Sequence, residues 1–453
     1  MFQVAVFCLG VGGALVAMLV NSHQPDPYMD EVFHIPQVQA YCRGNFSHWD
    51  PMITTLPGLY LSSVAWLSPV SRLLGMSTES LCQSPLLRAQ NLISSLLLFL
   101  CLYWLHRKLH STSISVAVLS SVNMTLFPVL YFFSFLYYTD TGATLLVLLG
   151  YALSLRGNHL LSAIVLLFGV CFRQTSIVWL VFVGGAAAVE IIEPTFTKHT
   201  KGDHLMLSYP AAIVKSLLSH LLTLLLTLWP YLAVVLLFAT FIVLNGSLVM
   251  GDKTHHVPCL HLPQLFYLAV FTCVFSSPHI LLHHTSGLLR ALITRLKWSL
   301  ALVFIALTGA LAVHYFTYAH PYLLADNRHY PFYLWKNVFR VHLTVRYWLL
   351  PLYSVSITAI LYTLSRTRSF LWILLFTVCC FMTVVPQRLL EFRYFIIPYL
   401  IYRLHMPSGH GNNMLPLMAE LLLYSCVNVF TLYAFLYKPF LWPDSQQLQR
   451  FMW

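Results

Sequence analysis

Residues 21–60 read NSHQPDPYMDEVFHIPQVQAYCRGNFSHWDPMITTLPGLY and directly follow a long apolar run. They contain Asp26, Asp30, Glu31 and Asp50, four of the fourteen acidic residues in a chain that is 58% apolar and only 9% charged. Carboxylates beside a membrane lose solvation energy unless water, cations or a substrate surround them. The acids therefore mark this stretch as a candidate functional loop outside the lipid.

The rest of the 453-residue chain is dominated by continuous apolar runs. Runs of about 18 or more apolar residues can cross a bilayer as helices, whereas the strands of a barrel alternate apolar and polar residues. The sequence therefore predicts an all-α polytopic membrane protein with a single domain over residues 1–453 and about 12–14 transmembrane helices. The candidate spans are residues 2–20, 89–106, 112–133, 142–155, 159–172, 175–192, 217–243, 264–282, 298–316, 345–363, 369–385, 394–406 and 416–438.

The first run, residues 2–20, has no basic segment before it, since the first Lys or Arg of the chain is Arg43. A signal peptide normally begins with such a segment, so this run is interpreted as the first transmembrane helix. The formal net charge of +11 is spread over many short loops. Contact with anionic lipid headgroups explains that pattern better than a nucleic-acid surface does.

Residues 56–75, LPGLYLSSVAWLSPVSRLLG, allow two interpretations. They are apolar enough for a span, but Pro57, Gly58 and Pro69 interrupt the run, which favours a helix lying in the membrane interface. The interfacial interpretation also places the short loops rich in Lys and Arg on one side of the membrane, as expected for the cytosol. Residues 21–88 would then form one large loop on the opposite side.

The ten cysteines show no metal-ligand spacing, and most lie inside apolar runs, where structural burial is the ordinary interpretation. Cys42, Cys82 and Cys259 fall in loops. A disulfide among these three is compatible with the sequence, which does not decide the pairing.

Asp30 and Glu31 are the strongest candidates for chemistry. Adjacent side chains on a helix point in directions about 100° apart, so the two carboxylates are not expected to face one substrate equally. One would act as a general base on a sugar hydroxyl, while the other orients the loop or pairs with a basic group. The alternative is that both are ordinary acids, solvated or placed at a helix N-terminus where the macrodipole favours them.

Further polar residues cluster in the predicted loops on the same side. A lipid-phosphate donor needs cations for its phosphate, and Arg328, Lys336 and Arg393 can supply them. Arg173 lies between two apolar runs, where an unpaired guanidinium would be unfavourable. The candidate substrate-binding residues are His34, Trp49, Asp50, Tyr138, Asp140, Arg173, Gln174, His320, Asp326, Asn327, Arg328, His329, Tyr330, Lys336, Glu391 and Arg393.

Several common motifs are missing from the sequence. It has no Walker loop, no G-x-G-x-x-G turn, no H-E-x-x-H pair and no D-x-D pair typical of nucleotide-sugar sites. An activated donor that is itself a lipid would need none of them.

Three segments carry a resemblance to a known family: YMDEVFHIPQVQAYCRGNFSHWDPMITTLPGLY, LADNRHYPFYLWK and LQRFMW. They are similar to the dolichyl-phosphoglucose-dependent α-1,2-glucosyltransferases of the endoplasmic reticulum, and the similarity covers essentially the whole chain. The resemblance implies the GT-C superfold and transfer of the terminal glucose, with inversion, from dolichyl phosphate glucose to the diglucosylated lipid-linked oligosaccharide. It also implies an endoplasmic-reticulum membrane protein whose active site faces the lumen.

The same resemblance implies a catalytic carboxylate in the first luminal loop, with Asp30 as first choice and Glu31 as second. Asp140 stands where the superfold often has a second luminal acid. Paired acids are missing there, and no metal ion or other cofactor is expected.

Two alternatives remain at this point. The chain could be a non-catalytic, channel-modulating membrane protein whose partner is a potassium-channel subunit, although no filter-like loop appears in the sequence. It could also be a GT-C mannosyltransferase that uses dolichyl phosphate mannose, because donor hexose identity depends on a few hydrogen bonds.

Overall fold

The structure is a computed structural model that describes residues 1–200, 208–253, 258–342, 344–407, 414–443 and 446–453. Each of the thirteen predicted spans coincides with helical segments, so the prediction of an all-α polytopic membrane protein is confirmed. Helices satisfy their backbone hydrogen bonds internally, which is the requirement that lipid imposes on apolar segments.

The α-helices are numbered in chain order. Up to residue 200 they are α1 (Phe2–His23), α2 (Glu31–Cys42), α3 (Gly58–Leu74), α4 (Thr78–Leu81), α5 (Ser84–Leu109), α6 (Ile114–Thr125), α7 (Pro128–Phe133), α8 (Thr139–Ser154), α9 (His159–Phe172) and α10 (Ser176–Thr200). They continue as α11 (Tyr209–Ser219), α12 (Leu221–Asn245), α13 (Gln264–Phe275), α14 (Ser277–His279), α15 (Thr285–Thr294), α16 (Leu296–Tyr315) and α17 (Pro321–Ala325). The last are α18 (Tyr330–Leu334), α19 (Val345–Trp348), α20 (Leu350–Leu364), α21 (Phe370–Val384), α22 (Ile396–His405) and α23 (Leu415–Tyr437).

Short irregular elements complete the chain. Two π-helical turns cover Ile280–His284 and Trp335–Phe339, and a 3-10 turn covers Phe392–Phe395. The strands β1 (Phe440–Leu441) and β2 (Leu448–Gln449) pair antiparallel near the end of the chain.

In the described part of the chain, seven helices are long and apolar enough to cross a membrane, or eight if the bent pair that starts at α13 counts as one span. Three shorter apolar helices, α6, α9 and α21, have 10–17 residues. The described chain therefore shows fewer full-length spans than the expected 12–14, and the higher number stays a prediction that requires the shorter helices to cross a locally thinned bilayer or to be accommodated by partner helices.

Two predicted spans are broken rather than continuous. The span at 112–133 divides into α6 and α7 at Pro128, whose ring excludes a continuous helical hydrogen-bond ladder. The span at 264–282 bends by 65° where α13 ends and the segment Ser277–Thr294 begins. Pro278 lies at that bend and acts in the same way.

The segment at 56–75 forms helix α3, which has 17 residues and is not among the candidate spans of the described chain. Its position in the membrane interface stays a prediction. Its N-terminus packs on the backbone at the end of α9. A Cβ atom at Gly58 would come within 2.6 Å of the Cys171 carbonyl group, so this close approach requires glycine. The contact places α3 directly beside Arg173.

The helices α2, α3 and α4 share a buried apolar cluster with side chains of the bundle, among them Tyr137 and Phe172. A disulfide between Cys42 and Cys82 links the end of α2 to the residue that follows α4. The pairing that the sequence left undecided is therefore Cys42 with Cys82, and Cys259 is a free thiol.

Candidate active site

A cavity of about 480 Å³ opens at the N-terminus of α2. Its wall combines residues from the first loop, the 322–332 connector and the 389–394 segment, which are far apart in sequence. Of the predicted site residues, the wall includes Asp30, His34, Arg173, Asp326, Arg328, His329, Glu391 and Arg393. A cavity of this size is in the range that holds small-molecule substrates.

Asp30 and Arg393 form the central ion pair of the cavity. Arg393 Nη1 lies 3.0 Å from Asp30 Oδ2, and its Nη2 lies 2.9 Å from Glu391 Oε2. The same guanidinium lies 3.8 Å from Asp140 Oδ2 and stands over the ring of Tyr138 at 5.4 Å. One arginine therefore interacts with three carboxylates, of which Asp30 and Glu391 line the cavity and Asp140 is buried outside its wall.

The pKa of Asp30 follows from this arrangement. Burial by itself would raise the pKa of the carboxyl, but the positive charge of Arg393 acts against burial and holds the pKa below its usual value of 3.8. The Asp30 side chain is 38% exposed, so an ionised, hydrogen-bond-accepting carboxylate faces the cavity.

Asp140 lies at the first turn of α8 and pairs with Arg173, which follows α9. The pairing explains why Arg173 is tolerated between two apolar helices. The neighbouring Gln174 donates from Nε2 to the carbonyl oxygen of Thr54 at 2.7 Å and thereby supports a residue of the cavity wall.

Glu31 has surroundings unlike those of Asp30. Its side chain is fully buried and accepts hydrogen bonds from Arg88 Nε at 2.9 Å and Arg88 Nη2 at 2.6 Å. The backbone N–H groups of Tyr137 and Tyr28 donate to it at 2.6 and 3.1 Å. Glu31 therefore binds the loop to α5 and is separated from the cavity wall that the structure describes.

His34 is one helical turn after Asp30, so it lines the same cavity. Its Nδ1 is hydrogen-bonded to the Tyr60 hydroxyl at 2.6 Å, and burial lowers the pKa of the imidazole. Trp49 packs edge-on against Tyr60, with ring centroids 6.0 Å apart. Asp50 accepts from the Met52 N–H at 2.8 Å and so shapes the turn that leads to the cavity wall.

The connector contributes a second ion pair. Arg328 Nη2 donates to Asp326 Oδ2 at 2.7 Å, and its Nη1 donates to Gln449 Oε1 at 3.1 Å. The guanidinium also stands 4.6 Å over the ring of Trp442. The hydrogen bond from Arg328 keeps the pKa of Asp326 below its usual value although burial acts in the opposite direction.

The other predicted connector residues are not among those that line the cavity. Asn327 accepts from Trp442 Nε1 at 2.7 Å, and Tyr330 packs on Trp453 with ring centroids 5.2 Å apart. Lys336 Nζ lies 5.9 Å from the ring of Phe332. His320 accepts from the Tyr322 N–H at 3.1 Å, which caps α17.

Sequence reasoning missed the main partner of Glu31 and part of the wall. Arg88 lies near the start of α5, apart from the other cations of that helix, Arg107 and Lys108, which lie in its last turn. A charge directly before a long apolar run was the available signal. The wall also contains Met29, Tyr394, Trp442 and Trp453. An aromatic residue in an aromatic-rich membrane chain carries no comparable signal.

Within the described residues, no group of three or more His, Cys, Asp or Glu side chains is arranged to hold a metal ion. Two of the carboxylates in the cavity wall, Asp30 and Glu391, are engaged by Arg393, and a third, Asp326, pairs with Arg328. That a metal is not required stays a prediction.

Fold and cavity together define a multi-pass membrane protein with a carboxylate–arginine site at the end of its helical bundle. The model of the DIE2/ALG10 family matches residues 24–404, and the chain belongs to this family. The matched region includes every residue of the predicted site.

The relatives carry a common name. The chain is 42% identical over 473 residues to the Homo sapiens protein named Dol-P-Glc:Glc(2)Man(9)GlcNAc(2)-PP-Dol alpha-1,2-glucosyltransferase, with 100% of this chain and 98% of the relative covered. Proteins of the same name are 35% identical in Arabidopsis thaliana, with 97% of each chain covered, and 31% identical in Yarrowia lipolytica, with 96% and 94% covered. No solved structure matches the chain, so its assignment to the GT-C superfold stays a prediction.

Proposed function

We propose that this chain transfers glucose from dolichyl phosphate glucose, in α-1,2 linkage and with inversion, to the diglucosylated lipid-linked oligosaccharide, and that Asp30 is the general base. The observation that carries the proposal is the Asp30–Arg393 pair in the cavity of a chain with full-length similarity to enzymes of that name. An enzyme of lipid-linked glycan assembly acts in the endoplasmic-reticulum membrane, with this cavity facing the lumen.

The reaction needs one proton acceptor and one stabilised leaving group. The acceptor 2-hydroxyl attacks the anomeric carbon of the donor, and the bond from that carbon to the phosphate oxygen breaks with its electron pair leaving on dolichyl phosphate. The hydroxyl proton goes to Asp30, which is ionised because Arg393 lowers its pKa. Transfer of the proton becomes favourable as the new bond forms and the hydroxyl grows acidic.

Arg393 connects the two charges. While Asp30 is ionised, the guanidinium is held at 3.0 Å from it. When Asp30 takes up the proton, it loses its charge at the moment that negative charge develops on the leaving phosphate. Arg393, with Arg173 and Arg328 in the same wall, is then available to the phosphate.

Glu31 does not compete for the role of base in this proposal. All of its hydrogen-bond donors belong to Arg88 and to two backbone N–H groups, and it is fully buried. A carboxylate without access to the cavity cannot accept a proton from a bound sugar.

Asp140 supports the site by contacting two of its arginines. It pairs with Arg173 and lies 3.8 Å from Arg393, so it holds both cations in place. The hydrogen-bonding residues behind the wall, including Gln174 and Asn327, position the wall rather than touch the substrate.

The test is reconstitution of the purified chain in liposomes with dolichyl phosphate glucose and either the di- or the monoglucosylated acceptor. We expect one hexose to be added to the diglucosylated acceptor alone. Asp30→Asn should lower the rate by about 10²–10⁴-fold, the usual loss when a general base is removed. Asp26→Asn, which changes an exposed acid of the same stretch, is the matched control and should keep the wild-type rate.

Two outcomes would contradict the proposal. Equal transfer by Asp30→Asn would remove Asp30 as the base. Transfer from dolichyl phosphate mannose in place of the glucose donor would favour the mannosyltransferase alternative. None of the relatives described above is named for a channel, and partnership with a potassium-channel subunit stays a hypothesis.

A further inference from the structure

Residues 448–453, LQRFMW, are close to the cavity but have no part in the proposed chemistry. We call them the 448–453 segment. It begins as β2, paired antiparallel with β1. Its backbone then passes between the first loop on one side and the 322–332 connector on the other.

Arg450 fixes this segment to the ends of two helices. Its Nη1 donates to the carbonyl oxygens of Phe435 at 2.7 Å and Leu436 at 3.0 Å, near the end of α23. Its Nε donates to Gln24 Oε1 at 2.8 Å, and its Nη2 donates to the carbonyl oxygen of His23 at 2.5 Å, at the end of α1. A guanidinium with four fixed acceptors restrains the segment strongly, because its donors form a rigid planar fork.

The backbone of Arg450 makes two hydrogen bonds with the Tyr28 hydroxyl. The Tyr28 hydroxyl donates to the Arg450 carbonyl oxygen at 2.7 Å and accepts from the Arg450 N–H at 2.7 Å. Tyr28 is only 6% exposed, and its ring packs edge-on against Phe435. The hydroxyl therefore has two partners, and both belong to the 448–453 segment.

The residue between Tyr28 and Asp30 has a strained backbone. Met29 has φ of 55°, in the left-handed region that disfavours residues with a Cβ atom by about 1–2 kcal/mol. Such a conformation persists only when the surroundings hold it. Tyr28 is held before it by Arg450, and after it the Asp30 N–H donates to the Tyr138 hydroxyl at 3.1 Å.

The segment also holds the opposite wall of the cavity. The Met452 N–H donates to the Arg328 carbonyl oxygen at 2.9 Å, and the Tyr330 N–H donates to the Met452 carbonyl oxygen at 3.1 Å. His329 Nδ1 lies 2.9 Å from the Trp453 carbonyl oxygen, and Trp453 itself lines the cavity. One short segment thus contacts both the loop that carries the base and the connector that carries Arg328.

We propose that the 448–453 segment is a positioning element for glucose transfer, and that Tyr28, held by the backbone of Arg450, is the positioning residue that sets Asp30 against the acceptor hydroxyl. The inference rests on the proposed function, because it requires Asp30 as the base. Without the anchor, the backbone at Met29 relaxes to a less strained conformation and Asp30 moves. A displacement of about 1 Å can lower the rate of a chemical step by about 10²-fold while substrate binding by the rest of the wall is retained.

Tyr28→Phe tests this role with the smallest change, since it removes the hydroxyl and keeps the ring on Phe435. We expect kcat to fall by about tenfold or more while KM for dolichyl phosphate glucose stays within about twofold of the wild-type value. Tyr151→Phe is the matched control: Tyr151 is also buried, its hydroxyl is hydrogen-bonded to His405 at 2.9 Å, and neither residue lines the cavity. It should lose similar thermal stability and keep the wild-type kcat.

A second comparison separates positioning from general destabilisation. If Tyr28 acts only through Asp30, adding Tyr28→Phe to Asp30→Asn should not lower the residual rate further, because the effects of coupled residues are not additive. A fall in kcat of less than about threefold for Tyr28→Phe, an equal fall for Tyr151→Phe, or a further loss in the double variant would each overturn the positioning role.

The outcome is distinguishable from failure of the proposed function. Absence of glucose transfer by the wild-type chain, or a normal rate for Asp30→Asn, overturns the proposed function and this inference with it. Normal wild-type transfer that Asp30→Asn abolishes, combined with a normal rate for Tyr28→Phe, overturns the positioning role alone.

Discussion

Asp30 and Glu31 are neighbours in sequence, yet they belong to two regions with opposite properties. Asp30 opens to the cavity and shares Arg393 with two other carboxylates. Glu31 lies in a closed cluster in which Arg88, itself 1% exposed, also donates to Asn21 Oδ1 at 2.9 Å and to the Gln24 carbonyl oxygen at 2.6 Å.

The difference shows what separates a structural ion pair from one that is proposed to be reactive. In the closed cluster the donors are fixed and no space is left for a substrate. In the cavity the carboxylate keeps accessible surface, and its cation can change partner when a proton is transferred. Both residues are carboxylic acids. What differs is the number of fixed hydrogen-bond donors around each carboxylate and the open volume beside it.

The largest expected effect comes from breaking the closed cluster. Glu31→Ala leaves Arg88 buried without its carboxylate, which typically destabilises a protein by about 3–5 kcal/mol. We expect a large fall in the thermal unfolding temperature in detergent and poor yield of folded protein. Asp30→Ala is the comparison, and this variant should unfold close to the wild-type temperature, because Arg393 still has Glu391 and Asp140 as ion-pair partners. Equal destabilisation by the two substitutions would remove the distinction between the closed cluster and the cavity.

The next effect concerns the other end of α2. Glu31 anchors the first turn of this helix, and the Cys42–Cys82 disulfide anchors its last residue across a sequence separation of 40. Replacing both cysteines by serine should destabilise the protein by about 2–4 kcal/mol, because the unfolded loop is no longer closed. Thermal unfolding curves recorded with and without reductant measure this loss of stability. If reductant did not lower the unfolding temperature of the wild-type protein, the disulfide would be contradicted.

On the cavity side, Arg393→Gln should change the pH dependence of transfer. Burial, no longer opposed by the guanidinium, then raises the pKa of Asp30, so the base form is lost at a higher pH as the solution is acidified. The acid limb of the rate profile should therefore move to higher pH, in addition to a lower rate at neutral pH. Rates measured from mildly acidic to neutral pH check this, and an unmoved acid limb would mean that Arg393 does not control the ionisation of the base.

The smallest effect is expected at Tyr60, whose hydroxyl contacts His34 in the wall of the cavity. Tyr60→Phe removes the hydroxyl bonded to His34 Nδ1 at 2.6 Å, and a single hydrogen bond contributes about 0.5–1.5 kcal/mol. We expect a small loss of thermal stability and a rate that changes by less than about tenfold, measured side by side with the wild type. A loss as large as that of Asp30→Asn would place His34 among the groups that act on the substrate.

Part of the site could be predicted because its chemistry is visible in isolated residues. Acids in a loop beside an apolar run, and arginines between apolar runs, are unfavourable without partners, which singled out Asp30, Glu31, Asp140 and Arg173. The expectation that one of two adjacent acids pairs with a basic group agrees with the Glu31–Arg88 contact. The choice of Arg88 could not be predicted, because a pairing between the loop and α5 depends on how the helices pack.

The roles of His320, Asn327 and Lys336 show the opposite case. They looked like binding residues because the connector is dense in polar groups. In the structure His320 caps a helix, Asn327 is hydrogen-bonded to Trp442 and Lys336 lies beside the ring of Phe332, and none of the three lines the cavity. Their roles in substrate binding stay predictions. Sequence density of polar groups does not show which of them face inward.

By itself, the sequence determined that this protein is a helical membrane protein with an acidic loop outside its apolar runs, because lipid leaves no other partners for the backbone and water or cations are needed beside the carboxylates. Only the tertiary structure decided which carboxylate meets the cavity. Asp30 and Arg393 are 363 residues apart in the chain, and Tyr28 and Arg450 are 422 apart. Contacts over such separations arise from helix packing, which no local pattern of residues encodes.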